Sequence, residues 1–116
     1  MIVDDSGTAR IKVRSVLQEL GFTQFFEVAD GAQAVAMAAR DSYDLIVTDY
    51  HMPLMDGRAL VSYLKQNPAT AGVPIIMFTT ETDLQKLDAV RRLGVLDVVE
   101  KAFPPAIVGP LLDPLF

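Results

Sequence analysis

The chain has 116 residues, of which 51% are hydrophobic and 22% charged, a composition that fits one globular domain and excludes disorder. The net charge is −5 and the isoelectric point is near 4.6, which argues against nucleic acid or an anionic membrane as a direct partner, since both require basic residues. There is no cysteine, no apolar run of membrane-spanning length and no signal segment, so we expect no disulfide and a cytoplasmic location.

Short runs of high β propensity alternate with stretches of helical periodicity. The strand candidates are residues 1–3, 24–28, 44–48, 74–78 and 96–99. The helix candidates between them are residues 8–20, 30–40, 58–65 and 83–93. Alternating units of this size predict a parallel sheet covered by helices on both faces. The continuously apolar third and fourth runs predict central strands, whereas the second run, with Phe25 and Phe26, is expected near an edge.

Both ends depart from this regular pattern. The first strand candidate has only three residues before an acidic pair, Asp4-Asp5. Near the other end, Pro105 suits the first turn of a helix, but Gly109 and Pro110 predict an interruption, because proline lacks the N–H that a helix interior needs. No repeat or linker divides the sequence, so we expect residues 1–116 to form a single domain.

Three carboxylates follow two of the strand candidates. Asp4 and Asp5 come directly after the first, and Asp49 ends the third. If these strands are parallel neighbours, the three acids meet at one edge of the sheet. Like charges at that distance raise one another's pKa unless a cation lies among them, and oxygen ligands suit a hard ion such as Mg²⁺. A carboxylate beside Mg²⁺ can also accept a phosphoryl group.

Two further polar residues fall at the same edge. Thr79 follows the fourth strand candidate and Lys101 follows the fifth. Taken singly, each has a structural explanation: a strand-end Asp caps a helix, a Lys is solvated, and a Thr has good β propensity. In combination, an acid cluster, a hydroxyl and a lysine at the ligand-binding edge of an α/β sheet predict phosphoryl transfer.

Several segments resemble the receiver domain of two-component response regulators, most closely the stand-alone chemotaxis type (CheY-like). They are Val3-Asp4-Asp5, the run DYHMPLMDG at residues 49–57, Thr79 and Lys101, and the likeness extends from residue 2 to residue 103. The resemblance implies a flavodoxin-like (βα)5 three-layer sandwich with parallel strand order 2-1-3-4-5. Here we expect a shortened first strand and a last helix broken by proline.

The same resemblance implies how the chain works. Asp49 is expected to be the phosphoacceptor, receiving phosphate from the phosphohistidine of a histidine kinase or phosphotransfer protein. Phosphorylation would shift an equilibrium between two surface states and so alter binding of a downstream protein target. The chain would not be an enzyme, beyond self-phosphorylation from small donors and self-dephosphorylation. Many receivers dimerise or bind targets through the surface that corresponds to residues 83–116, so a homodimer through that surface is one expectation.

The resemblance also assigns the ligands of the site. Asp5 and Asp49 would bind Mg²⁺ through their side chains, with Asp4 close by or acting through water, and the backbone carbonyl of His51 would complete the protein ligands. Thr79 and Lys101 would hold the phosphoryl group. Mn²⁺ is a second candidate ion, because the His51 imidazole could join the carboxylates in a site that prefers Mn²⁺, Fe²⁺ or Zn²⁺. We expect Gly57 to supply backbone freedom.

Three positions depart from the usual receiver pattern. Val98 replaces the aromatic residue of the fifth strand, which predicts that the usual threonine–aromatic readout is absent. Ala102 replaces the proline after the lysine, so we predict a trans Lys101–Ala102 bond and a displaced or mobile Lys101. Thr80 is bulkier than the usual residue after the key threonine, which predicts a longer-lived aspartyl phosphate.

Two other functions remain open from the sequence. Val98 and Ala102 favour a receiver-like interaction module that does not need phosphate, although the intact acidic set opposes it. A phosphohydrolase with an aspartyl nucleophile is the other alternative, in which His51, two residues after Asp49, would act as acid and base. No cap or lid segment is visible for such an enzyme.

Overall fold

The computed structural model describes residues 1–100 and 105–115. Its strands are β1 (Ile2–Val3), β2 (Glu27–Val28), β3 (Ile46–Thr48), β4 (Ile75–Thr79) and β5 (Asp97–Glu100). Its helices are α1 (Gly7–Glu19), α2 (Gly31–Ala38), α3 (Gly57–Gln66), α4 (Leu84–Arg92) and α5 (Pro105–Leu112), followed by a 3₁₀ turn, Asp113–Leu115. Every element predicted from the sequence is present, and most strands are shorter than their apolar runs.

The strands form one parallel sheet in the order β2-β1-β3-β4-β5. This order confirms the flavodoxin-like prediction and places β2 at an edge. The two-residue strand β1 lies between β2 and β3, with Ile2 opposite Val47 and Val3 opposite Thr48. Because β1 and β3 are neighbours and run in the same direction, the residues that follow them emerge side by side at one edge of the sheet.

Side-chain caps explain where the first four helices begin. Ser6, Asp30, Asp56 and Asp83 each precede a helix, and each accepts a hydrogen bond from a backbone N–H of the first turn. Such caps satisfy donors that have no partner within the helix. Glycines in the left-handed region, Gly21 and Gly94, follow α1 and α4 and allow the chain to leave these two helices.

The sheet separates two layers of apolar packing. Residues of α2, α3 and α4 form the α2–α4 core, which includes Ala34, Leu60, Leu64 and Val90. Residues of α1 and α5 form the α1–α5 core on the opposite face, which includes Val13, Leu17, Val108 and Leu112. Successive residues of β4 alternate between the two cores, as the period of a strand requires. The fold is therefore the expected three-layer sandwich.

The predicted interruption near Gly109 is wrong, because α5 continues through Pro110 to Leu112. Val108 and Leu112 lie four residues apart and are both fully buried in the α1–α5 core. A side chain at Gly109 would come within 3.3 Å of Leu20, so this glycine lets α5 pack closely on the end of α1. Tertiary packing thus outweighs the local preference of both residues. No helix of the described residues is long and apolar enough to cross a bilayer.

Candidate functional site

Three acidic residues meet where β1 and β3 end. One carboxylate oxygen from each of Asp4, Asp5 and Asp49 lies within 4.8 Å of the others. Asp4 and Asp49 are buried, while Asp5 is exposed. The backbone explains the convergence, since the N–H of Asp49 donates to the carbonyl of Val3 at 3.0 Å, which carries the β1–β3 pairing one residue further. The structure therefore brings together the three acids that the sequence predicted to converge.

The backbone around Asp4 is held by hydrogen bonds from helix α1 and its cap. The N–H of Ser6 donates to Asp4 Oδ1 at 2.8 Å, and Arg10 Nη1 donates to the Asp4 carbonyl at 2.6 Å. Arg10 is itself fixed by Glu27 of β2, with Nε 3.4 Å from Oε1. The sequence analysis missed Arg10, because a side chain that reaches a backbone carbonyl leaves no pairing signal in the sequence. Its contacts orient the Asp4–Asp5 segment.

Asp49 is fixed by the loop that follows it. Its Oδ1 accepts the N–H of Tyr50 at 2.7 Å, and the carbonyl of Tyr50 accepts the N–H of Gly57 at 2.7 Å. A Cβ at Gly57 would overlap the Asp49 carbonyl oxygen and lie 2.9 Å from Tyr50 Cα. Gly57 is not in the left-handed region. The prediction of backbone freedom is therefore wrong, and the glycine is needed because the start of α3 touches the backbone of Asp49.

The imidazole of His51 lies beside Glu81. Its Nε2 lies 3.6 Å from Glu81 Oε1, and more than half of the side chain is exposed. Among the described residues, the group able to hold a metal ion through side chains consists of the three aspartates without His51. The role of the His51 backbone carbonyl as a metal ligand stays a prediction, because this group is defined by side-chain atoms.

Thr79 ends β4 as predicted and is buried. Its Oγ1 accepts the N–H of Glu81 at 3.0 Å, so the hydroxyl also fixes the start of the next loop. The Glu81 carboxylate lies 3.1 Å from Lys86 Nζ and accepts the N–H of Thr82 at 2.9 Å. The hydrogen bond from Lys86 and those from the backbone lower the pKa of Glu81. The sequence analysis missed Glu81, which links the loops after β3 and β4 through His51.

Val98 of β5 and Thr80 of this loop are the two described positions that depart from the usual receiver pattern. Val98 is half-buried and lines a hollow of about 380 Å³ together with Thr79, Leu87 and Arg91. Thr80 is exposed. Lys101 and Ala102 lie outside the described residues, so the position of the lysine and the trans bond between the two residues stay predictions.

The acid cluster fits a hard divalent ion. Mg²⁺ binds six oxygens at about 2.1 Å, which sets adjacent ligand oxygens about 3 Å apart and opposite ones about 4 Å apart. The three carboxylate oxygens already lie within 4.8 Å of one another, so small side-chain rotations bring them to such distances. All three are hard oxygen donors, and the exposed Asp5 leaves room for water, which Mg²⁺ retains when it binds protein.

Comparison with known proteins decides the family. The family model described as the response regulator receiver domain matches residues 1–108. The chain belongs to the receiver domain family. It is therefore a domain of the two-component signalling type, and receiver domains bind Mg²⁺ at the acidic pocket and interact with histidine kinases and downstream targets.

Individual relatives agree with this assignment. The receiver domain is 32% identical over 116 residues to chemotaxis protein CheY-3 of Vibrio cholerae, covering 100% of this chain and 89% of the relative. The structure of chemotaxis response regulator CheY4 of Vibrio cholerae superposes with a TM-score of 0.84 at 31% identity, covering 99% of this chain and 95% of that one. The receiver domain of the sensor histidine kinase PA1611 from Pseudomonas aeruginosa PAO1, which has a magnesium ion coordinated in its active site cleft, superposes with a TM-score of 0.85 at 28% identity, covering 98% and 93% of the two chains.

Proposed function

We propose that this receiver domain accepts a phosphoryl group on Asp49 from a histidine kinase or phosphotransfer protein, in a reaction that depends on Mg²⁺, and that the phosphorylated form binds a downstream protein target differently. The observation that carries the proposal is the convergence of Asp4, Asp5 and Asp49 at one edge of the sheet. The whole unit, residues 1–116, is proposed to act as one domain, without direct contact to nucleic acid or membrane.

The chemistry assigns each residue a task. A carboxylate oxygen of Asp49 attacks phosphorus while the bond from phosphorus to the donor histidine nitrogen breaks, and the nitrogen leaves with the bonding electrons. The hydrogen bond from the Tyr50 N–H to Asp49 Oδ1 keeps the carboxylate oriented at 2.7 Å. A magnesium ion held by the three aspartates and the His51 carbonyl would neutralise the phosphoryl oxygens, and Thr79 and Lys101 would bind them.

The decisive experiment measures phosphate uptake with and without Mg²⁺. Kinase cores and phosphotransfer domains of the source organism, labelled from ATP, are mixed with wild type, Asp49→Ala and a control, Asp41→Ala, in which an exposed acid at the opposite end of the sheet is removed. Acetyl phosphate serves as a small phosphate donor, and beryllofluoride serves as an analogue of the bound phosphoryl group. We expect uptake by wild type and Asp41→Ala only, and no uptake when EDTA replaces Mg²⁺. Uptake by Asp49→Ala would refute the assignment.

Position 98 supports a second candidate, an interaction module that does not require phosphate. Val98 is a short β-branched side chain beside the hollow that Thr79 also lines, so it cannot swing as an aromatic ring does. For the phosphoacceptor proposed above, the same residue leads us to propose that the threonine–aromatic readout is absent although phosphorylation is retained. A wild type that does not respond to acetyl phosphate or beryllofluoride with Mg²⁺ would favour the phosphate-independent module instead. Val98→Tyr is then expected to change target affinity or its dependence on phosphate, and a Val98→Tyr variant equal to wild type in both would argue against this idea.

The phosphohydrolase alternative depends on His51, whose imidazole lies beside Glu81. Turnover of a small phosphomonoester would support it.

For Thr80, exposed beside Thr79, we propose slower attack of water on the aspartyl phosphate. This predicts faster loss of phosphate from Thr80→Ala than from wild type, measured by the decay of labelled protein, and equal rates would reject it.

The surface of residues 83–116 is proposed as the target-binding or dimer surface. Its described part exposes several large apolar side chains, namely Leu84, Leu96, Ile107 and Leu115. Sedimentation of wild type and Ile107→Glu across a range of concentrations tests for a dimer. A monomer at all concentrations in both proteins would leave target binding as the role of this surface.

A further inference from the structure

The loop between β3 and α3 contains a tight turn centred on Leu54. The N–H of Met55 donates to the carbonyl of Pro53 at 2.7 Å, and the φ angle of Leu54 is 68°. A backbone hydrogen bond between the first and third residues of a three-residue turn defines a γ-turn. The form in which the central residue has a positive φ angle is rare and strained. Among the described residues, Leu54 is the one non-glycine residue with a positive φ. A left-handed conformation crowds the Cβ of any L-residue other than glycine.

The residues that follow the strained turn are held by the surrounding structure. The Met55 side chain packs so closely on Gly31 of α2 that a Cβ there would lie 2.8 Å from its sulfur. Beyond Met55, Asp56 caps α3 by accepting the N–H of Ala59 at 2.8 Å. Just before these two residues, the Leu54 side chain extends into solvent with a relative exposure of 106%. Leu54 thus adds strain to the fold and no burial, although glycine would relieve the strain.

The turn forms part of the rim of the acid site. Pro53 and Asp56, on either side of Leu54 and Met55, line an open hollow of about 400 Å³ with Asp5, His51 and Met52. A protein that brings a phosphohistidine to Asp49 must lay its surface over this rim, whereas acetyl phosphate can enter without touching it. A residue that is strained, fully exposed and placed at this rim is therefore suited to contact with a protein donor.

We propose that Leu54 is an apolar anchor for the protein phosphodonor, and this inference rests on the proposed function. The complementary surface is an apolar recess with basic groups beside it, because Asp5 and Asp56 line the same rim. Leu54 contributes to recognition and takes no part in the chemistry at Asp49. Its removal weakens docking of the protein donor and leaves the reaction with small donors unchanged.

The test compares protein and small donors across a series at one position. Leu54→Ala removes the side chain and keeps the strain, Leu54→Gly removes both, and Leu54→Met keeps an apolar side chain of similar length. Tyr63→Ala is the control, since Tyr63 is a 47% exposed aromatic residue near the end of α3 that lies away from the acid site. The protein donors are the labelled kinase cores and phosphotransfer domains that transfer phosphate to wild type, and the small donor is acetyl phosphate.

For Leu54→Ala and Leu54→Gly we expect an increase of about tenfold in KM for the protein donor with an unchanged maximal rate. Tenfold corresponds to about 1.4 kcal/mol, which lies at the lower end of the value for burying one leucine side chain. Leu54→Met is expected to restore most of the affinity. Acetyl phosphate labelling is expected to stay within twofold of wild type for all variants. Urea unfolding is expected to show Leu54→Gly at least as stable as wild type, because the strain is relieved.

Several results overturn the inference. They are an unchanged KM in both truncated variants, an equal loss with acetyl phosphate, and an equal loss in Tyr63→Ala. A wild type that accepts phosphate from acetyl phosphate but from no protein donor overturns the inference and the protein donor of the proposed function, while Asp49 still stands as the phosphoacceptor. A wild type labelled by neither donor overturns both.

Discussion

Replacing Gly57 by alanine should damage both the fold and the acid site, although alanine is the better helix former. The new Cβ would overlap the carbonyl oxygen of Asp49 and lie 2.9 Å from Tyr50 Cα. Both contacts are with backbone, so a side-chain rotation cannot relieve them. Moving α3 away would break the 2.7 Å hydrogen bond from the Gly57 N–H to the Tyr50 carbonyl.

The loss of stability in Gly57→Ala can be worked out from the backbone overlap and the broken hydrogen bond. Overpacking a well-packed region costs about 1–3 kcal/mol, and loss of one backbone hydrogen bond costs about 1 kcal/mol. We therefore expect the free energy of unfolding to fall by about 2–4 kcal/mol, a large share of the total for a domain of this size. Urea unfolding followed by circular dichroism measures it, provided that the dependence on urea concentration is the same in both proteins.

A matched control comes from the first residue of another helix. Gly7 begins α1 after the cap Ser6, as Gly57 begins α3 after the cap Asp56. A Cβ at Gly7 would meet only the flexible end of Arg10, at 3.5 Å. Gly7→Ala should therefore be neutral or slightly stabilising, by up to about 1 kcal/mol. If Gly57→Ala proved as stable as Gly7→Ala, the close approach to Asp49 would not constrain this position and the reasoning would be refuted.

Three further predictions concern contacts around the site and the last helix. Arg10→Gln removes the hydrogen bond to the Asp4 carbonyl and should lower the free energy of unfolding by about 1–2 kcal/mol. The affinity for Mg²⁺, measured by calorimetry, should fall as well. Unchanged affinity would show that Arg10 does not orient the ligands. For Glu81→Gln, the lowered pKa of Glu81 in the folded state means that wild type gains stability above the ordinary pKa and loses it as the pH falls through the lowered one. The urea midpoints of variant and wild type should then differ at neutral pH and converge in acid, and a constant difference would count against the contact with Lys86. Pro110→Ala should restore a helical N–H at an exposed position of α5 and raise the free energy of unfolding by about 1–3 kcal/mol, whereas a decrease would mean that proline favours this helix.

Much of the fold could be predicted because its signals are local. Alternation of apolar runs and helical periods indicated the five strand–helix units. Convergence of the three acids then followed from topology alone, since Asp4 and Asp49 end neighbouring parallel strands. Strand order itself came from the family resemblance, because short apolar runs do not record which neighbour they pair with.

The features that the sequence did not predict depend on distant backbone. Arg10 acts on a carbonyl, which every residue possesses, so its partner leaves no trace in residue type. Gly57 is required because the Asp49 backbone approaches it too closely for a Cβ. The sequence alone could not show whether a glycine is present for lack of room or for an unusual backbone conformation. The continuity of α5 through Pro110 depends on the burial of Val108 and Leu112 against α1, which outweighs a local signal for interruption.

The alternation of β4 between two cores means that chain neighbours occupy separate environments. Met77 packs with α2 and α3, whereas Phe78, the next residue, packs with α1 and α5. The backbone of the sheet stands between their side chains, so a cavity made on one face is not filled from the other. Paired truncations at these adjacent positions should therefore act almost independently, while truncations at Phe78 and Val108, thirty residues apart, should depend on one another. Variation in the helices of one layer can thus proceed without repacking the other.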